Sequence, residues 1–126
     1  MLTTAEIASF FILLAVAGND TTRNTITHGM DLLSRHPAQR AAWQADLDGV
    51  TPTAVEEIVR WTTPVIQFCR TPIRDTEVRG TKIRAGENLC LFYPSANRDE
   101  EIFDEPFAFR VDRTPNRHIA FGIGEH

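Results

Sequence analysis

Residues Thr4 to Arg35 read TAEIASFFILLAVAGNDTTRNTITHGMDLLSR, and no proline interrupts the run before Pro37. Thr3 or Thr4, with Glu6 close behind, supplies a helix start, so the pattern predicts a single helix over residues 4–35. A helix of about 30 residues is a rod of roughly 45 Å, long against the usual three turns. Its first half, from Ile7 to Ala17, is apolar on every side, and such a segment must be surrounded by protein. Few residues of the chain remain to surround it.

Outward from that helix the punctuation changes. His36-Pro37 ends it, and residues 38–47 read as a second, amphipathic helix closing at Asp48-Gly49. Thr51-Pro52 suits the start of a third, over 52–62, with Thr51 as cap and Pro52 in the first turn, ending before Pro64. Beyond Pro64 the pieces are short and strand-like: Val65 to Arg70, Glu77 to Val78, Lys82 to Ile83 and Asn88 to Tyr93. Gly80 and Ala85-Gly86 punctuate them as in a small antiparallel sheet over 65–93. Residues 95–117 are rich in charge, Pro and Asn and read as an irregular loop region with one helical turn at most, continuing into the glycine-rich run so that 95–126 forms the last part of the chain. The fold class is therefore mainly α with a small antiparallel β portion, in one partial domain over residues 1–126.

Composition excludes some roles. Seventeen acidic against thirteen basic residues leave no basic footprint for phosphates, so nucleic acid is not expected as a partner. Cys69 and Cys90 lack metal-ligand spacing and sit in apolar surroundings, so they read as two buried thiols in a reducing cytosol. Ile7 to Ala17 imitates the apolar core and small-residue cleavage site of a secretory leader. Yet Glu6 stands where positive charge belongs, and the run is short of the ~20 residues a membrane span needs. A cytoplasmic protein without a transmembrane segment is the expectation.

Four groups of residues could carry chemistry. Ala17-Gly18-Asn19-Asp20-Thr21-Thr22 lies in mid-helix, where Gly costs about 1 kcal/mol and Asp and Thr compete for backbone hydrogen bonds. Either the helix opens or kinks there at a helix crossing, or the small residues admit a flat ligand while hydroxyl and carboxylate pass protons. Glu57-Ile58-Val59-Arg60 puts a carboxylate and a guanidinium on one helix face, and the apolar neighbours suggest burial, with Arg113 as a third member. Arg70, Arg117 and His118 could each pair with an anion. The chain's last residues, Phe121-Gly122-Ile123-Gly124-Glu125-His126, form a glycine-rich run.

Taken in order, these motifs resemble the cytochrome P450 family. The series runs from Ala17-Gly18-x-Asp20-Thr21-Thr22 through Glu57-x-x-Arg60, Arg70-Thr71-Pro72, Ala96-Asn97-Arg98-Asp99 and Phe107-Ala108-Phe109 with Arg113, to His118-Ile119-Ala120-Phe121-Gly122-x-Gly124-x-His126. It covers essentially the whole chain and makes the fold an incomplete P450 fold. The resemblance implies a haem cofactor, with the long helix crossing the haem's distal face. It implies Asp20 and Thr21 as the acid–alcohol pair that supplies protons for O–O cleavage while bulk water is kept out.

The same resemblance implies Glu57, Arg60 and Arg113 as a buried structural network. Arg70 and His118 match positions that pair with haem propionates, and Ala17, Gly18, Phe121, Gly122, Gly124 and His126 match residues lining the cofactor. Ala17 with Val65, Ile66, Gln67 and Phe68 matches substrate-lining regions, mostly apolar, implying a lipophilic substrate of sterol or fatty-acid type. A redox partner such as a ferredoxin is implied for electron supply. The cysteine that holds the iron in this family would fall about two places beyond His126, so no metal ligand is expected within the chain. Cysteine thiolate ligation drives O–O cleavage, so the expectation is an interrupted monooxygenase, inactive alone. A non-catalytic helical interaction protein and a small secreted domain are the alternative readings.

Overall fold

The computed structural model describes residues 2–124. Helix α1 spans Thr4–Arg35, α2 Pro37–Ala45 and α3 Leu47–Thr62. Strands follow at β1 Gln67–Arg70, β2 Thr76–Val78, β3 Thr81–Ile83 and β4 Leu89–Phe92, and the short helix α4 covers Tyr93–Ala96. From residue 97 to residue 124 the backbone is a succession of turns and bends with one isolated bridge, between Ala120 and Gly122.

Thr3 starts α1 through a reciprocal capping box: Glu6 N–H donates to Thr3 Oγ1, and Thr3 N–H donates to the Glu6 carboxylate at 2.7 Å. Those bonds hold the Glu6 carboxyl below its ordinary value, the backbone bond contributing most. The helix then stays continuous through Ala17, Gly18 and Asp20, with no opening there. Nor does another helix cross at Gly18, since a Cβ built there meets nothing within 4 Å. The crossing lies three turns on, at Gly29, where a Cβ would come within 3.0 Å of Ile58 Cγ2 of α3.

The second and third helices divide differently from the sequence expectation. Asp48-Gly49 does not end α2 but lies in the first turn of α3, because Asp46 caps that helix by accepting from Gly49 N–H at 2.9 Å. Gly49 makes this cap attainable, as a Cβ there would sit 2.3 Å from Asp46 Oδ2. Thr51 is consequently not a cap: its hydroxyl accepts from Trp43 Nε1 at 2.8 Å, tying α3 to α2. Pro52 lies inside the helix, past the first turn, and so leaves the Asp48 carbonyl without the backbone donor that position 52 would otherwise supply.

The β portion is two separate antiparallel ribbons, β1 with β4 and β2 with β3, in place of one small sheet. Both cysteines are exposed, contrary to the buried expectation, because each ribbon is only two strands thick and Cys69 and Cys90 share its open face. The core sits elsewhere. Leu32 of α1, Ala54 and Ile58 of α3, and Phe109 and Val111 of the late loop region form one buried cluster, flanked by Leu33, Trp43, Val50 and Trp61. His36, Trp61 and Phe109 stack around its edge, with ring centroids 5.3–6.3 Å apart.

The apolar first half of α1 is left uncovered: Phe10, Phe11, Ile12, Leu13 and Leu14 are all exposed, Phe11 by 70%. No helix among the described residues is long and apolar enough to cross a membrane. The α1–α3 crossing gives a stability test. Gly29→Leu drives a side chain into Ile58 and is expected to cost about 1–3 kcal/mol, whereas Gly18→Ala should be neutral or gain up to about 1 kcal/mol. Urea unfolding midpoints of the two variants measure the contrast, and equal midpoints would contradict the crossing.

Candidate functional site

A buried carboxylate stands at the centre of a dense hydrogen-bond cluster. Glu57 is fully buried on α3 and lies between two guanidinium groups, Arg60 Nε at 2.7 Å and Arg113 Nε at 3.0 Å from its Oε2. Arg60 Nη2 and Arg110 N–H donate to Oε1 at 2.8 and 3.1 Å, and Asn116 Nδ2 donates to Oε2 at 3.3 Å. One negative charge among two positive ones leaves an excess that backbone carbonyls absorb. Arg60 donates to Asn97 O and Pro106 O, and Arg113 to Asp104 O, Glu105 O and Ala108 O. The bonds from Arg110, Arg113 and Asn116 to Glu57 and from Arg60 to Asn97 O and Pro106 O run between α3 and the loop region, so the cluster fixes the irregular chain that leads to the glycine run.

A second buried hub, joining Thr63 to Asn97 of the Ala96-Asn97-Arg98-Asp99 motif, continues toward that run. Thr63 ends α3 in the left-handed region at φ 42°, a costly place for a β-branched residue. Its hydroxyl donates to Arg60 O at 2.7 Å and accepts from Asn97 Nδ2 at 2.9 Å. Asn97 Oδ1 in turn accepts from Ile119 N–H at 2.8 Å. One fully buried amide thus joins the end of α3 to the residue just before Ala120 and Phe121. Alongside, Arg98 donates to Trp61 O at 2.9 Å, and burial, then the charge of Arg60, lowers its pKa while Glu57 opposes them.

Beyond this hub the glycine run meets the β1–β4 ribbon. Phe68, Arg70, Tyr93, Phe121, Gly122 and Gly124 are among the residues that line a cleft of about 310 Å³. Phe68 and Arg70 share a strand face, with the guanidinium carbon 5.9 Å from the Phe68 ring centroid. Among the described residues no carboxylate lies within ion-pair reach of Arg70. Gly122 has φ +91°, and a Cβ there would lie 3.2 Å from Tyr93 Oη, so only glycine brings this loop against the ribbon without strain. Gly124, at φ +94°, has open space before it.

The remaining candidates are distributed as follows. His118 is 10% exposed at its side chain, with Nε2 2.7 Å from Glu56 Oε2 and Nδ1 accepting from Ala120 N–H at 3.3 Å. Thr21 is half-buried and donates its hydroxyl to Ala17 O, within the intact helix. Asp20 is exposed and pairs with Arg23 at 2.8 Å. Gln67 lies on the opposite strand face from Phe68 and accepts from Cys90 Sγ at 2.9 Å, so the segment 65–68 does not present one common face. Ile66 is 58% exposed, and Val65 is half-buried. His126 lies outside the described residues.

The long helix bearing Asp20 and Thr21, the buried Glu57–Arg60–Arg113 cluster and the glycine loop beside Arg70 stand in the chain order that the sequence resemblance describes. The chain belongs to the cytochrome P450 family, whose model matches residues 1–126. It is 58% identical over 123 residues to the methyl-branched lipid omega-hydroxylase of Mycobacterium tuberculosis, covering 98% of this chain and 29% of that protein. It is 48% identical to the steroid C26-monooxygenase of the same species, covering 96% and 28%. Among solved structures, Mycobacterium marinum cytochrome P450 CYP268A2 in complex with pseudoionone superposes with a TM-score of 0.90 at 52% identity, covering 96% of this chain and 29% of that one. P450BioI in complex with an acyl carrier protein carrying hexadec-9Z-enoic acid gives 0.94 at 41% identity, covering 99% and 32%. The chain therefore spans somewhat under a third of the length of the relatives it matches.

Haem is the cofactor of this family, and the cleft can be tested against it. A flat apolar ring bearing two carboxylates needs an apolar wall, a close-lying backbone and a cation. Phe68, Tyr93 and Phe121 supply the wall, Gly122 and Gly124 the backbone, and Arg70 the cation. The residues present fit the group.

Proposed function

We propose that this chain is the part of a lipid-hydroxylating monooxygenase that carries the proton-delivery helix and one wall of the haem pocket. The observation that carries the proposal is the cleft in which Arg70 faces Phe121, Gly122 and Gly124, set in a chain 58% identical to a lipid hydroxylase. The substrate class follows the two named relatives: a lipophilic molecule of branched-lipid or steroid type, which the exposed apolar residues Ile66 and Phe68 suit. Electrons would come from a ferredoxin-type partner, in the cytoplasm.

When bound, haem supplies the activation of dioxygen. The chain's own residues do the rest. Arg70 would hold a propionate by a charge-assisted bond, and His118 would take the other on leaving its Glu56 partner. Phe68 and Phe121 keep water from the ring face. The small residues Ala17 and Gly18 let that face approach α1 closely, since a Cβ at Gly18 meets nothing in the chain itself.

Thr21 is the inner proton donor and Asp20 the outer one. The Thr21 hydroxyl donates to Ala17 O, and rotation about χ1 would free it to donate to a bound ligand. Asp20 sits in solvent beside Arg23 and can take protons from water. On its own the 126-residue polypeptide is proposed to be inactive, because Cys69 and Cys90 lie on the ribbon, on the face away from Phe68 and Arg70.

The direct test is a chimera in which this chain replaces the matching residues of the Mycobacterium tuberculosis methyl-branched lipid omega-hydroxylase. Thr21→Ala in the chimera should leave reductant consumption running while product per reductant falls about tenfold or more. Unchanged coupling would remove Thr21 from the proton path.

A further inference from the structure

The β1–β4 ribbon brings the chain's two cysteines face to face. Cys69 stands opposite Cys90 in the antiparallel register. The kind of pair follows from the neighbouring bond, in which Tyr93 N–H donates to Ile66 O at 3.0 Å. Residues 66 and 93 are opposite one another, so theirs is a hydrogen-bonded pair. Alternation along the ladder then makes Gln67–Phe92 non-bonded, Phe68–Leu91 bonded and Cys69–Cys90 non-bonded.

That assignment has a geometric consequence. In a non-bonded pair the Cα atoms are about 4.5 Å apart and the side chains lean together, within the roughly 4.4–6.8 Å that a disulfide spans. Both thiols are exposed, and they are close enough to affect each other. The Cys90 thiol is pushed up, first by lost hydration, then by the charge of Cys69 and a hydrogen bond to it. Cys90 Sγ also donates to Gln67 Oε1 at 2.9 Å, which keeps its proton in place.

We propose that Cys69 and Cys90 form a redox-active pair, a modification site at which a hydroperoxide closes a cross-strand disulfide next to Arg70. Cys69 is the attacking thiol, since the Cys90 proton is held by Gln67. Its sulfur takes the terminal oxygen of the peroxide and becomes a sulfenic acid, while the O–O bond breaks and the peroxide leaves as water or alcohol. Cys90 then attacks that sulfur, the S–O bond breaks, and the hydroxyl departs with the Cys90 proton as water. Two thiols are oxidised by two electrons and one peroxide is reduced, and a small dithiol reverses the closure. The bond staples β1 to β4 one residue from Arg70 and frees Gln67. Nothing in this inference depends on the proposed monooxygenase activity.

The test treats the full 126-residue chain with hydrogen peroxide, natively and in concentrated urea, and follows free thiols and linked peptides by mass spectrometry. Native chain should lose both thiols together as a monomeric Cys69–Cys90 linkage, about tenfold or more faster than in urea, because the register holds the sulfurs at high effective concentration. Cys90→Ser should accumulate a sulfenic acid at Cys69 that a dimedone probe captures, and Cys69→Ser should react several-fold more slowly. A native rate no faster than the urea rate, disulfide-linked dimers as the main product, or equal probe capture in the two variants would overturn the proposal.

Discussion

Glu57→Gln should unfold the region around the glycine run while leaving the size and shape of the side chain unchanged. The carboxylate takes donors on both oxygens: Arg60 Nη2 and Arg110 N–H on Oε1, Arg60 Nε, Arg113 Nε and Asn116 Nδ2 on Oε2. A glutamine offers one acceptor oxygen and turns an NH2 group toward the other donors. Two buried guanidinium groups also lose the one carboxylate that pairs with them among the described residues, and breaking a buried pair in this way costs about 3–5 kcal/mol. Against a typical total of about 5–15 kcal/mol, that is enough to abolish stable haem loading of the chimera.

Glu56→Gln is the matched control one residue away. Its side chain is 59% exposed, and its loss from His118 should cost under about 1 kcal/mol. Urea unfolding monitored by circular dichroism and by haem absorbance separates the two variants. Similar losses in both would mean that the buried cluster is not what holds the loop.

The second large effect is on rate. Asp20→Asn in the chimera removes the group proposed to take protons from solvent, and product formation should fall about 10²-fold or more, the usual worth of a positioned acid. The fold should hardly notice, because the Asp20–Arg23 pair is exposed at 71% and 69% and such pairs contribute at most about 1 kcal/mol. A rate loss with an unchanged unfolding midpoint therefore identifies proton delivery. An equal rate in Asp20→Asn would place the proton supply elsewhere.

What the sequence disclosed depended on how local the determining interactions are. The bounds of α1 were legible because a capping box, an unbroken apolar run and a closing proline all lie within the segment itself. The start of α3 was misread because Thr51-Pro52 is a strong local signal, while the Asp46 cap works only with Gly49 clear of its carboxylate. Asn97 stood in a legible motif, but its bond to Thr63 could not be found by pattern. Their bond joins residues 34 positions apart, and neither side chain announces burial. The cysteines were misjudged for a related reason: apolar neighbours in sequence imply a covered strand, and a two-stranded ribbon leaves one face open. The glutamate–arginine pair was readable as a helix-face pair whose apolar neighbours suggest burial, and that burial is completed by the returning loop that carries Arg113.

The central claim is that α1, the Glu57 cluster and the Arg70 cleft together form a working portion of a lipid-hydroxylating P450. The most direct measurement supplies the chimera with haem, reductant, a ferredoxin partner and a methyl-branched lipid under ¹⁸O₂, and examines the product by mass spectrometry. One atom of ¹⁸O per hydroxylated lipid is the predicted result. A folded, haem-loaded chimera that consumes reductant yet yields no labelled product would contradict the account.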